Sequence, residues 1–140
     1  MDENLKREII MENYQNPLNR KVGGDNYLKV NTSNTSCIDN IDLYLDIEDN
    51  VIKDITFMGE ACAISISSTS IMINNLIGKT VEEAIDYIDN FDKMINGKDY
   101  DKDILKDAIV YSEIYKQNSR KTCAFLPYKG IKEAIAKYQK

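Results

Sequence analysis

The pattern of apolar and polar residues predicts a β-hairpin in the first half of the chain. Residues 41–47 alternate between apolar and polar side chains, which is typical of a strand buried on one face. Residues 51–58 alternate again, and their expected buried face carries Val51, Ile55 and Phe57. Asp49 and Asn50 between the two segments are typical of a tight hairpin turn.

Helical spacing of apolar residues predicts helices on both sides of this hairpin. One helix covers residues 3–14 and ends before Pro17, because the residue before a proline disfavours helical backbone. Residues 62–76 are apolar or small nearly throughout, which favours a buried helix whose serines allow close helix packing. A further helix begins at Thr80, which forms the pattern of a capping box with Glu83 three residues later.

The remaining segments predict loops and two more helices. One helix covers residues 104–115, and the last helix has Pro127 in or just before its first turn. The expected loops are residues 18–36, with a possible short strand at 27–30, residues 89–103 and the basic segment 116–122. These elements together predict an α+β fold in a single domain spanning residues 1–140. Its small antiparallel β-sheet, the hairpin plus a possible third strand, would pack against several α-helices.

Composition places the chain among ordinary globular proteins. It has 140 residues, of which 43% are hydrophobic and 29% are charged, which suits one domain with a hydrophobic core. The apolar stretches are shorter than a membrane span, and the N-terminal residues lack the apolar segment of a signal peptide. We therefore expect a cytoplasmic protein with no membrane partner. The net charge of −5 argues against nucleic acid as a partner.

Charge is unevenly distributed along the chain. Residues 118–140 contain six Lys or Arg and one acidic residue, whereas residues 82–92 contain five acids and no base. Charge runs of this kind most often belong to solvated helix faces. The alternative interpretation is that the basic segment docks an acidic protein partner.

The absence of histidine restricts the chemistry available to this chain. It excludes Ser-His and Cys-His catalysis and every zinc motif that contains histidine. The three cysteines are an odd number in a chain without signs of secretion, which argues against a disulfide framework. Any metal site must therefore use Cys together with Asp or Glu.

Each cysteine lies where a loop meets a predicted helix or strand. Cys37 and Asp39 are two residues apart in an extended segment, so their side chains point the same way. Cys62 begins a predicted helix, whose positive end favours a thiolate. Cys123 follows Arg120 and Lys121, which also favour a thiolate. Three thiolates and one carboxylate suit Zn²⁺, but the residues alone favour unrelated buried thiols over a shared metal site.

Several segments together resemble the iron–sulfur cluster assembly proteins of the NifU amino-terminal/IscU type. They are "IIMENYQNPLN", "NTSCIDNIDLYLDI", "GEACAISISSTSIM", "GKTVEEA" and "SRKTCAFLPY", which extend over nearly the whole chain. The chain is most similar to the SufU branch of this family. Thr122 stands where the IscU type has a histidine, the interval from Cys62 to Cys123 is long, and Arg120 fits the SufU pattern.

The resemblance implies a function as well as a SufU/IscU-like fold. Cys37, Asp39, Cys62 and Cys123 would bind Zn²⁺, and Cys37 would accept sulfur from the persulfide of a SufS-type cysteine desulfurase. Arg120 would assist by orienting the site or favouring the thiolates. The protein would act as a zinc-dependent sulfurtransferase that needs its desulfurase, rather than as a stand-alone enzyme, and would serve downstream iron–sulfur assembly proteins.

Two alternatives remain open beside this hypothesis. The same four residues could assemble a transient [2Fe–2S] cluster, which would make the protein a scaffold. A zinc ion could also serve folding alone. The absent histidine favours zinc over the cluster.

The chain departs from the family pattern at four positions close to the cysteines. Ile38 stands where the family has glycine, and a β-branched residue disfavours the positive φ that glycine permits, so we expect a stiffer loop. The other departures are Thr35 for proline, Ala61 for glycine and Tyr128 for tryptophan. None of them removes a proposed ligand.

Overall fold

The computed structural model describes residues 1–35 and 38–140 and confirms the α+β class. In chain order, the described elements are α1 Glu3–Gln15, β1 Leu28–Ser33, β2 Asn40–Glu48, β3 Val51–Glu60, α2 Ala63–Leu76, α3 Val81–Ile95, α4 Lys102–Leu105, two 3₁₀ turns at Lys106–Tyr111 and Ile114–Lys116, and α5 Asn118–Tyr138. The expected third strand is present as β1. No helix among the described residues is both long and apolar enough to cross a membrane.

The sheet is antiparallel with the strands in the order β1-β2-β3. Leu43 lies opposite Val30 on one side and opposite Phe57 on the other, and these buried residues form part of the core. Asp49 and Asn50 both have positive φ, 50° and 67°, as the tight hairpin turn between twisted strands requires. The hairpin prediction is therefore confirmed.

A β-bulge changes which residues of β3 face the core. Asp46 pairs with Asp54 and Ile47 pairs with Ile52, so Lys53 is the extra residue on β3. The extra residue reverses the alternation at the start of the strand. The expectation that Val51 shares the buried face was wrong, because Ile52 is fully buried there and Val51 is only half-buried.

Helix α2 is the central helix of the fold. It packs against both α1 and α5, and most of its residues are buried, in agreement with the sequence pattern. Thr80 begins α3 with the predicted capping box, in which Glu83 N–H donates to Thr80 Oγ1 and Thr80 N–H donates to the Glu83 carboxylate. Helix α5 crosses β1 and β2 closely at Gly130, where a Cβ atom would collide with Leu43.

Three sequence predictions for the second half of the chain were wrong. Helix α3 continues to Ile95, so the loop predicted at residues 89–103 is shorter than expected. The helix expected at residues 104–115 is only α4 followed by 3₁₀ turns. Helix α5 begins at Asn118 and contains both Cys123 and Pro127, so most of the segment 116–122 is helical and not a loop. Sequence pattern failed here because a proline inside a helix normally indicates the helix start.

Candidate metal centre

Three of the four predicted ligands come together where three elements meet. Asp39 lies just before β2, Cys62 immediately precedes α2, and Cys123 lies in the second turn of α5. One donor atom from each residue, a carboxylate oxygen or a sulfur, lies within 4.8 Å of the others. Asp39 is 1% exposed and Cys123 is 8% exposed, while Cys62 is half-buried. The fold therefore places a carboxylate and two thiols around one point at the edge of the core.

The fourth predicted ligand, Cys37, lies outside the described residues, as does Ser36. Thr35 and Ile38, the residues that flank this pair, are described. Asn34 N–H donates to the carbonyl oxygen of Asp39 at 3.0 Å, which joins the two ends of the segment that carries Cys37. The side-chain amide nitrogen of Asn34 lies 3.9 Å from Cys123 Sγ. The assignment of Cys37 as a ligand stays a prediction.

Local backbone geometry holds Cys62 next to Asp39. Strand β3 ends after Gly59, whose φ of +128° is one that other residues rarely adopt, and a Cβ there would collide with the carbonyl oxygen of Asn40. Cys62 has extended backbone and serves as the N-cap residue of α2. Its N–H donates to Asp39 Oδ1 at 2.7 Å. The N-cap position puts Cys62 at the start of α2, next to the Asp39 carboxylate.

Electrostatics at the centre favour a bound cation. Burial, together with hydrogen bonding and charge from Cys62 and Asp39, raises the pKa of the Cys123 thiol to about 12. Cys123 is thus held as a neutral thiol when three acidic groups share the space without a positive charge. A divalent cation between the donors would reverse this preference and stabilise the thiolates. Carboxylate and thiolate donors at this spacing fit Zn²⁺, and they equally fit iron of a cluster.

Ser65 also contacts the proposed ligands, and the sequence pattern did not predict this contact. Its Oγ lies 2.7 Å from Asp39 Oδ2, 3.6 Å from Cys62 Sγ and 3.0 Å from the carbonyl oxygen of Cys123. Its spacing from Cys62, three residues within a predicted helix, could have indicated it, because such residues share a helix face.

The contacts of other serines in α2 agree with the prediction that these small residues allow close helix packing. Ser68 donates to the carbonyl oxygen of Ala124 at 2.6 Å, and Ser70 donates to the Asn13 side chain at 2.7 Å. Ser67 Oγ lies 2.5 Å from the Tyr111 hydroxyl. These hydroxyls therefore join α2 to its neighbours by hydrogen bonds as well as by their small size.

Arg120 belongs to α5, the helix that also carries Cys123. It is exposed on α5, one turn before Cys123, and lines a cavity of about 410 Å³ with residues that include Lys6, Arg7 and Tyr111. Among the residues that the structure describes, no hydrogen bond joins its guanidinium to Asp39, Cys62 or Cys123. Its assisting role stays a prediction.

Comparison with known proteins gives matches to one family of iron–sulfur cluster assembly proteins. Residues 5–140 match the family model described as the NifU-like N terminal domain. The zinc-dependent sulfurtransferase SufU of Bacillus subtilis (strain 168) is 35% identical over 134 residues, which cover 95% of this chain and 90% of that protein. The iron–sulfur cluster assembly scaffold protein IscU of Thermotoga maritima is 41% identical over 104 residues, which cover 74% of this chain and 73% of that protein.

Similarity to a solved structure extends the match to three dimensions. The crystal structure of a putative iron–sulfur cluster assembly scaffold protein for the SUF system (FiSufU), from Fervidobacterium islandicum AW-1, aligns with a TM-score of 0.87. That structure is 33% identical in sequence, and the alignment covers 91% of this chain and 94% of the other.

Proposed function

The chain belongs to the NifU-like N-terminal domain family, and from this premise we propose that it is a zinc-dependent sulfur acceptor in iron–sulfur cluster assembly. It would take persulfide sulfur from a SufS-type cysteine desulfurase and pass it to downstream assembly proteins. The observation that carries the proposal is the convergence of Asp39, Cys62 and Cys123 within 4.8 Å, next to the segment that contains Cys37. The similarity to a relative named as a zinc-dependent sulfurtransferase supports it.

The donor set supports zinc as the resident metal. Asp39, Cys62 and Cys123 would hold it together with Cys37, which completes the four ligands of a tetrahedral site. Bound zinc would keep the thiols deprotonated without redox chemistry of its own. The buried position of Asp39 and the hydrogen bonds to both of its oxygens fix the carboxylate before any metal arrives.

Cys37 is the proposed sulfur acceptor, because the sequence predicts a polar loop around it rather than a helix. Its thiolate would attack the terminal sulfur of the partner's cysteine persulfide, following the rules of thiol–disulfide exchange. A sulfur–sulfur bond forms on Cys37, the partner's sulfur–sulfur bond breaks, and the partner's cysteine leaves as a thiolate. The electron pair moves with the leaving thiolate, so the step needs no oxidant. Arg120, one helical turn from Cys123, would favour the anionic thiolates.

A second candidate function is a scaffold that builds a transient [2Fe–2S] cluster on the same residues and transfers it. The similarity to a relative named as the scaffold IscU favours this alternative. Three cysteines and one aspartate can ligate either metal, so ligand type does not separate the two functions. The absence of histidine favours zinc.

One assay separates the two functions. The protein is purified anaerobically, its metal content and absorption spectrum are measured, and desulfurase turnover is then followed with and without it. A colourless protein with about one zinc per chain that stimulates turnover supports the sulfur acceptor. A brown protein with iron and sulfide that does not stimulate turnover overturns it in favour of the scaffold.

A further inference from the structure

Helix α5 continues through Pro127, and this deprives one carbonyl group of its usual partner. In an α-helix, the N–H of each residue donates to the carbonyl oxygen four residues earlier. Proline has no N–H, and its ring crowds that carbonyl. The carbonyl that loses its helical donor is that of Cys123, one of the proposed metal ligands.

Ser65 supplies the missing donor from a different helix. Its hydroxyl lies 3.0 Å from the carbonyl oxygen of Cys123. Ser65 is fully buried, so water does not compete with its hydroxyl for this carbonyl. The same hydroxyl lies 2.7 Å from Asp39 Oδ2. A serine hydroxyl has one proton, so one buried group is shared between two ligand-bearing segments.

We propose that Ser65 is a positioning residue of the metal centre, placed there by the proline in α5. It orients the Asp39 carboxylate through Oδ2 and holds the backbone of Cys123 through the carbonyl that Pro127 leaves free. The proposal rests on the proposed metal-binding function. Outer partners of this kind typically change metal affinity by about 10- to 100-fold.

Ser68 provides a matched control on the same helix. It is also fully buried, and it donates to the carbonyl oxygen of Ala124, next to Cys123 in sequence. Ala124, unlike Cys123, has a helical donor available four residues later, since Tyr128 carries an N–H. Among the described residues, the Ser68 hydroxyl contacts none of the proposed ligand atoms. Ser65 therefore contacts a ligand atom and the carbonyl without a helical donor, whereas Ser68 contacts neither.

The first experiment compares Ser65→Ala, Ser65→Thr and Ser68→Ala in the 140-residue chain. Zinc affinity is measured by competition with a chelator, and the ligand-field bands of the Co²⁺-loaded protein report ligand geometry. Ser65→Ala should lower affinity by about 10- to 100-fold and shift the Co²⁺ bands. Ser68→Ala should leave the bands unchanged. Ser65→Thr keeps the hydroxyl and should therefore show the same bands as the unsubstituted chain. Equal effects of Ser65→Ala and Ser68→Ala would overturn the positioning role.

The second experiment tests the link to Pro127 in metal-free protein. Ser65→Ala should raise the unfolding equilibrium constant by about tenfold or more, as expected for an unsatisfied buried polar group. In a Pro127→Ala background, the backbone N–H that alanine introduces at position 127 can donate to the Cys123 carbonyl. Ser65→Ala should then raise the unfolding equilibrium constant by a smaller factor. An equal cost in both backgrounds would show that Ser65 does not replace the missing helical donor.

Failure of the proposed function gives a different result from failure of this inference. If the unsubstituted chain binds neither Zn²⁺ nor Co²⁺, both the metal centre and the positioning role are overturned. If it binds both ions while Ser65→Ala behaves as Ser68→Ala does, the metal centre stands and only the role of Ser65 is overturned.

Discussion

The backbone N–H of Cys62 donates a hydrogen bond to Asp39 Oδ1 at 2.7 Å, so two proposed metal ligands are fixed relative to each other by the protein itself. The bond connects the segment before β2 to the start of α2. Because Asp39 is buried, the bond is protected from competing water. Asp39 thus has a structural role that does not depend on metal.

Substitution of Asp39 should separate its structural role from its ligand role. Asp39→Asn keeps an oxygen that can accept from Cys62 N–H but removes the negative charge. Asp39→Ala removes both, and it should lower the free energy of unfolding of the metal-free protein by about 1–3 kcal/mol, because a buried N–H loses its partner. Asp39→Asn should cost clearly less. Both variants should bind zinc more weakly than the unsubstituted chain.

Urea unfolding with a chelator present and zinc titration check this prediction. Glu60→Ala is a suitable control, because Glu60 is an exposed carboxylate at the end of β3. Equal unfolding free energies for Asp39→Ala and Asp39→Asn would contradict the structural role of the Cys62–Asp39 bond.

Cys62 and Cys123 should react at different rates with an alkylating reagent once metal is removed. Cys62 is half-buried at a helix start, whereas burial raises the pKa of Cys123 to about 12. The thiolate is the reactive form, so Cys123 should stay nearly inert at neutral pH and gain reactivity as the pH rises toward 12. Zinc should protect both residues.

Mass spectrometry of peptides after timed alkylation measures the two rates in the same sample. Equal rates for Cys62 and Cys123 at neutral pH in the metal-free chain would show that the buried thiol is not held in its neutral form.

Gly59→Ala should disturb the metal centre through the backbone. Gly59 has a φ of +128°, and a Cβ there would meet the backbone of Asn40, which cannot move without shifting the segment that carries Asp39. We expect a loss of about 2 kcal/mol or more in stability, together with weaker zinc binding. Gly78→Ala is the matched control, because Gly78 also has a positive φ, +92°, but has open space around its Cβ position.

Thermal unfolding measures the stability of Gly59→Ala and Gly78→Ala, and competition with a chelator measures their zinc affinity. The control should lose stability through backbone strain alone, at about 1–2 kcal/mol, and should keep its zinc affinity. The prediction fails if both variants bind zinc as the unsubstituted chain does.

Ile38→Gly should change the mobility of the loop but not the stability of the fold. Ile38 is 74% exposed, so its side chain contributes little to the core. Glycine at this position gives the backbone more freedom, and we expect zinc to pass to a competing chelator faster while the unfolding free energy changes by less than about 1 kcal/mol.

Val22→Gly is the control for this change, since Val22 is also β-branched, lies in another loop and is 64% exposed. Stopped-flow measurement of zinc transfer to a coloured chelator compares the variants. Equal transfer rates for Ile38→Gly and the unsubstituted chain would mean that Ile38 does not stiffen the loop.

Local sequence pattern was sufficient to predict the parts of the fold that depend on neighbouring residues. The hairpin followed from the alternation of residues 41–47 and from Asp49 and Asn50, which tolerate positive φ. The start of α3 followed from Thr80 and Glu83, which satisfy each other's backbone groups. Asp39, Cys62 and Cys123 could be grouped because their residue types suit one metal.

Contacts between distant segments explain what the sequence did not predict. Pro127 indicates a helix start when read locally, but α5 continues through it, and Ser65, 58 residues before Cys123, donates to the carbonyl that a proline cannot serve. The bulge at Lys53 follows from pairing between strands and leaves no clear signal within β3. Ser65 was interpreted as a packing residue because its contact with Asp39 exists only in the folded chain.

In the proposed function, Cys37 receives sulfur while Asp39, Cys62 and Cys123 keep the site together. The most direct measurement is the mass of the intact chain, and of the peptide containing Cys37, after incubation with a SufS-type desulfurase and free cysteine. We expect the unsubstituted chain to gain one sulfur atom on Cys37, Thr35→Ala to gain it too, and Cys37→Ser to gain none. Sulfur gained by Cys37→Ser to the same extent, or found on Cys62 or Cys123 instead, would contradict the proposed role of Cys37.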